Sequence, residues 1–112
     1  MTAALDITPD QKTLLLQYLQ QFLPDVGVWA FGSRTKGMAR PTSDLDLVLF
    51  INPAQKSQVF ALLEALEESN LPFKVDLLIW DEIPDNFKTN IQQQFIELVA
   101  GTRTSHAERS LL

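Results

Sequence analysis

Two aspartates, Asp44 and Asp46, flank Leu45 at the head of an apolar run that continues through Leu47, Val48, Leu49, Phe50 and Ile51. At i and i+2 of a β-strand their side chains leave the same face about 6 to 7 Å apart at Cα, close enough for both carboxylates to reach one cation. Two charges at the start of a buried strand need compensation by metal, hydrogen bonds or water. A third lone carboxylate, Asp76, sits between Val75 and Leu77 in another apolar run, and Gly32-Ser33 closes a shorter one. The glycine lets backbone approach an anion with no Cβ in the way. The serine adds a hydroxyl donor at an expected helix N-terminus, where free amides favour phosphate.

Any metal here must be held by oxygen, because the chain has no cysteine and its single histidine, His106, falls in a polar tail. Mg²⁺ suits such a set, since it takes a few carboxylates together with substrate phosphate oxygens. Transfer of a nucleotidyl group from a triphosphate needs a phosphate cradle, metal to offset charge and a group to deprotonate the attacking hydroxyl. Gly32 and Ser33 offer the first, and Asp44 and Asp46 the second. Asp76, on a neighbouring strand, completes a second metal site or acts as base. Arg34, Lys36 and Arg40 put three of the nine basic residues between the Gly-Ser pair and the acids. Arg34, directly after Ser33, is the one expected on the triphosphate. Ser43 is expected to steady Asp44 through a hydrogen bond.

The elements that must carry these residues are legible from their punctuation. Thr8-Pro9-Asp10-Gln11 predicts an N-cap, a first-turn proline and a capping-box partner for a helix running to Phe22, with Leu14, Leu15, Tyr18, Leu19 and Phe22 on its apolar side. Val26 to Phe31 predicts a short strand, and Arg34 to Gly37 a short helix or loop. Leu45 to Ile51 predicts the second strand. Asn52-Pro53-Ala54-Gln55 repeats the capping pattern for a helix to Ser69, and Phe73 to Trp80 reads as the third strand. A last helix is expected over 86–100, with Phe87, Ile91, Phe95, Leu98 and Val99 inward and Gly101 as its stop. Thr102 to Leu112 reads as a frayed polar tail.

Strands separated by helices predict an α+β sandwich, a small mixed sheet flanked by helices, as one domain over 1–101. A chain of 112 residues that is 46% hydrophobic supports one core. No apolar run reaches membrane-spanning length and the first residues lack a signal segment, so a cytoplasmic protein is expected. A net charge of −5 argues against a long nucleic acid as partner but not against a nucleotide with Mg²⁺.

Gly32-Ser33, ten intervening residues, Asp44-Leu45-Asp46 and the later Asp76 resemble the DNA polymerase β-like nucleotidyltransferase superfamily. A chain with no further domain resembles its minimal nucleotidyltransferase (MNT) group, the antitoxins of HEPN/MNT toxin–antitoxin pairs. The resemblance runs from the first predicted helix to the last. It implies Gly32 and Ser33 as the nucleotide-phosphate motif, Asp44 and Asp46 as Mg²⁺ ligands and Asp76 as the third acid, with two metal ions and ATP as substrate. It also implies transfer of AMP to a tyrosine hydroxyl of a HEPN ribonuclease toxin, in a hetero-oligomer with that partner.

Each signal has a plainer reading. A Gly-Ser pair alone is usually a turn, Asp-x-Asp often a solvated loop, and a lone strand aspartate often an edge residue. Trp29 and Trp80 read as core or partner-facing aromatics, and Glu67-Glu68 and Asp81-Glu82 as exposed faces and turns. Two other functions compete: a non-catalytic antitoxin that neutralises its partner by occlusion, and an enzyme that nucleotidylates a small molecule.

Overall fold

The computed structural model describes residues 5–101, so the tail from Thr102 and His106 lie outside the described residues. Helix α1 spans Pro9–Phe22 and begins as its sequence dictates. The Thr8 hydroxyl accepts from the Gln11 amide at 3.1 Å, and the Gln11 side chain accepts from the Thr8 amide at 2.9 Å. Asp25, with φ of 66°, turns the chain into strand β1, Gly27–Phe31. Strand β2 is Leu45–Phe50. The second capping pattern is realised too, with the Asn52 side chain accepting from Ala54 and the Gln55 side chain from Asn52, each at 3.0 Å. It caps one turn of 3-10 helix, Pro53–Gln55, that leads into α2, Lys56–Glu67. Strand β3 is Val75–Ile79 and helix α3 is Asp85–Gln93.

The predicted helix over 86–100 is only half present. Past Gln93 the chain extends and forms a fourth strand, β4, Ile96–Val99. It pairs antiparallel with β1, Val28 opposite Val99 and Ala30 opposite Ile96, across a bulge. The helical spacing of Phe95, Leu98 and Val99 lost to an open sheet edge whose backbone groups needed partners. Gly101 is accordingly no helix stop. Its φ is 77°, and a Cβ there would come within 2.8 Å of the Gly27 nitrogen, so only glycine lets the chain pass the start of β1.

The sheet order is β3-β2-β1-β4, with β1 antiparallel to both neighbours and β2 parallel to β3. A parallel pair cannot be joined by a tight turn, and α2 supplies the crossover. This is the expected α+β class. Alternation along the strands gives the sheet two different faces. Val28, Ala30, Leu45, Leu47, Leu49 and Val75 pack with Leu15, Leu19, Leu62 and Leu66 of α1 and α2. Phe31, Val48 and Trp80 face the other way with Ile91 of α3, joined by Trp29, Phe50, Phe87 and Phe95. Trp29 and Phe95 stack at 3.9 Å between ring centroids and Trp29 meets Trp80 edge-on at 5.6 Å, so Trp80 is a core residue and Trp29 is half-buried against it. No helix among the described residues is long and apolar enough to cross a membrane.

Two phenylalanines of equal hydropathy separate stacking from exposure. Phe95→Ala, which removes the ring stacked on Trp29, is expected to cost roughly 2–3 kcal/mol. Phe60→Ala, at a side chain 71% exposed on α2, is expected to change stability by about 0.5 kcal/mol or less. Urea denaturation of both variants checks the difference.

Candidate active site

The site is assembled where β1 ends and β2 and β3 begin. Antiparallel register sets Phe31 opposite Asp46, and parallel register sets Asp46 beside Asp76. Both acids project from the sheet face that carries Phe31 and Val48. Directly after Phe31, Gly32 takes φ of 85°, and a Cβ on it would collide with the Asp46 carboxylate oxygen Oδ2. The glycine therefore makes the turn and leaves the volume that Asp46 occupies. Asp44 is exposed, one residue ahead of β2, and its charge acts on Asp46.

After Gly32 the chain makes a single 3-10 turn, Ser33–Thr35, closed by Thr35 Oγ1 donating to the Gly32 carbonyl at 2.7 Å. The expected helix N-terminus is this one turn, too short to build a macrodipole, so any anion affinity rests on local amides and the serine hydroxyl. That hydroxyl has no hydrogen-bond partner among the described residues. Gln94 Nε2 donates to the Thr35 carbonyl at 2.9 Å and ties the end of α3 to the loop.

Arg34 is placed otherwise than its sequence position suggests. Its side chain is buried, 4% exposed, and turned into the protein. Nε and Nη2 donate to the Ser43 carbonyl at 3.0 and 2.8 Å, Nη1 donates to the Asp6 carbonyl at 2.7 Å, and Nη2 also reaches the Arg40 and Pro41 carbonyls. The guanidinium lies 4.2 Å from the Phe73 ring centroid. With its donors on carbonyls, Arg34 clamps the segment leading into Asp44, although its position directly after Ser33 suggested a triphosphate contact. Ser43 belongs to the same clamp, its hydroxyl accepting from the Arg40 amide at 2.8 Å to close the 40–43 turn. Lys36 remains exposed and lines a cavity with Gly32.

Electrostatics mark Asp46. Burial pushes its pKa up from 3.8 to about 6, and the charges of Asp76 and Asp44 and a hydrogen bond with the Asp76 carboxyl act in the same direction. The cation beside the pair is Lys74, 3.4 Å from Asp76 and itself 65% exposed. Among the described residues no three acid or histidine side chains already close around a cation. The donors nonetheless fit Mg²⁺: they are all carboxylate oxygens, their charges are crowded, and this ion completes its shell with water and phosphate oxygens.

Two cavities border these residues. One, of about 480 Å³, contains Asp46, Asp76 and Lys74 between Leu78, Phe31 and Phe87. The other, of about 610 Å³, lies on the Gly32 side, is bordered by Lys36, Asn90, Gln93 and Gln94, and shares Phe31 and Phe87 with the first. Phe87 is visible in the sequence only as a helix-stripe residue, and the α3 amides only as a solvated face. Nothing local signals that they wall a site.

Asp46→Asn isolates the carboxylate. Its folded pKa lies above its unfolded value, so its ionisation destabilises the fold, not at all below pH 3.8 and in full above about pH 6. In metal-free buffer the native protein is therefore expected to lose thermal stability relative to Asp46→Asn as pH rises through that window, a difference that circular dichroism measures. Arg34→Met, which orphans the clamped carbonyls, is expected to cost about 3 kcal/mol in urea denaturation, and Arg34→Lys to recover only part of it.

Comparison with known proteins agrees with this geometry. The sequence model of the nucleotidyltransferase domain family matches residues 13–98. A Haemophilus influenzae protein named probable protein adenylyltransferase MntA is 39% identical over 103 residues, covering 91% of this chain and 90% of that protein. Two solved structures share the fold. A toxin–antitoxin crystallised with AMP-PNP gives a TM-score of 0.58 at 18% identity, over 85% of this chain and 76% of that one. The toxin–antitoxin MntA-HepT gives 0.53 at 15% identity, over 83% and 73%. The chain belongs to the nucleotidyltransferase domain family, among its minimal, MntA-like members.

Proposed function

We propose that this chain is a cytoplasmic, Mg²⁺-dependent protein adenylyltransferase that moves AMP from ATP to a tyrosine hydroxyl of a HEPN ribonuclease toxin and thereby acts as its antitoxin. The observation that carries the reading is the register that sets Asp46 beside Asp76, with Gly32 folded against Asp46. The name of the Haemophilus influenzae relative and the toxin–antitoxin neighbours support it.

Gly32 and Ser33 hold the triphosphate, the glycine by close backbone approach and the serine by its unpartnered hydroxyl. Asp44 and Asp46 would hold Mg²⁺, with Asp76 bordering a second ion, and the metal supplies charge neutralisation on the phosphates. Asp76 takes the proton as the acceptor oxygen attacks the α-phosphorus. The new O–P bond forms as the bond to the β-phosphate oxygen breaks, and pyrophosphate leaves.

The test is the intact mass of a HEPN-type toxin partner after incubation with this protein, ATP and Mg²⁺. Added mass in AMP units is expected with the native chain, and a loss of roughly 100-fold or more in rate with Asp44→Ala or Asp46→Asn. Transfer at the native rate by either folded variant overturns the reading. Protection of cells by either inactive variant would point instead to neutralisation by occlusion.

A further inference from the structure

The loop after Gly32 is held from two sides. Towards α1 and the acids, the Asp6 amide donates to the Arg34 carbonyl at 2.8 Å, and the Arg34 guanidinium reaches the carbonyls of Asp6, Arg40, Pro41 and Ser43. Towards α3 the tie is the Gln94 side chain, whose Nε2 donates to the Thr35 carbonyl. Arg34 is buried under Phe73, whereas Gln94 lines the cavity on the Gly32 side, together with Lys36, Asn90 and Gln93.

The backbone that carries Gln94 is fixed before and after it. Helix α3 ends at Gln93, the Gln94 amide still donates to the Ile91 carbonyl at 3.1 Å, and at φ −156° and ψ 109° the chain has already left the helix. Phe95 then stacks on Trp29, and Ile96 pairs with Ala30. At its other end the hydrogen bond holds a peptide unit that is also held elsewhere. The Thr35 carbonyl accepts from Gln94, and the Lys36 amide in the same peptide donates to the Ser33 carbonyl at 3.1 Å. A peptide is planar, so restraining both groups fixes its plane and the Cα of Lys36 with it. Lys36 is exposed, has no ion-pair partner among the described residues and is the cation in the wall of this cavity.

We infer that Gln94 is a positioning residue for the nucleotide: through the Thr35–Lys36 peptide it sets where Lys36 enters the cavity and how far the loop stands from α3. The inference rests on the reading of the chain as an adenylyltransferase and adds what holds its nucleotide cavity in shape. A polyphosphate gains most from a cation placed beforehand, because ordering a lysine on binding costs entropy, and fixing the lysine's backbone removes part of that cost. Asp46 and Asp76 do not depend on this tie. They are held by strand register and by packing on the other face of the sheet.

Calorimetry of AMP-PNP binding in the presence of Mg²⁺ tests this, with circular dichroism to show that each variant is folded. Gln94→Met keeps the length and removes the donor, and is expected to weaken AMP-PNP about 5-fold. Gln94→His, measured well above the imidazole pKa, returns a neutral N–H donor at similar reach and is expected to recover most of that loss. Lys36→Met is expected to weaken AMP-PNP about 20-fold. Because Gln94 acts through Lys36, the double variant is expected to stay at about 20-fold, where independent contributions would multiply to about 100-fold. Unchanged affinity in Gln94→Met, no recovery in Gln94→His, or a multiplied loss in the double variant overturns the inference. A native chain that binds AMP-PNP, with variants in the expected pattern, but transfers no AMP overturns the proposed activity and leaves the positioning role standing.

Discussion

Two carboxylates held side by side at the starts of parallel strands repel each other, and the rest of this small fold is what keeps them there. Asp46 and Asp76 share a register position, and Asp46 is pushed towards its protonated form by burial and by the neighbouring acids. An isolated strand pair would relieve the repulsion by slipping or splaying. It cannot here, because Leu45, Leu47 and Leu49 on the opposite face are completely buried against the helices, and a shift of one residue would move those leucines to the face of Phe31 and Trp80 and Asp46 into the core under α1 and α2. The strain of the site is carried by apolar packing on the reverse side of the same strand.

Arg34 does comparable work in the loop. A buried guanidinium is costly unless its donors are met, and here backbone carbonyls from Asp6, Arg40, Pro41 and Ser43 meet them while Phe73 covers its face. One side chain thus gathers the segment ahead of α1, the turn before Asp44 and the loop after Gly32. The outcome is a loop after Gly32 and an acid-bearing strand start that are mutually fixed by one side chain.

The features most legible in the sequence were those whose hydrogen bonds close locally. Thr8 with Gln11 and Asn52 with Gln55 cap their helices within three residues, and both are found as expected. The strand positions of Asp46 and Asp76 were legible as well, whereas Asp44, expected on the same strand, falls one residue ahead of β2. The last helix failed at Phe95 because the pairing that claimed Ile96 to Val99 comes from β1, some seventy residues earlier in the chain. Helical spacing of apolar residues there was compatible with either element, and a free sheet edge decided between them.

What the sequence determined alone was the inventory: an all-oxygen donor set, two aspartates where a strand starts, a glycine and a serine at the end of another strand, and a mixed sheet with helices. Tertiary structure decided the rest. It put Asp46 against Asp76 through the parallel register, ordered the strands so that β3 became an edge beside the acids, and turned Arg34 inwards where its sequence neighbours suggested phosphate. The reason is common to all three. Residue type and local spacing set what a side chain can do, but its direction and neighbours depend on contacts distant in sequence, and those are settled only when the two faces of the sheet are packed.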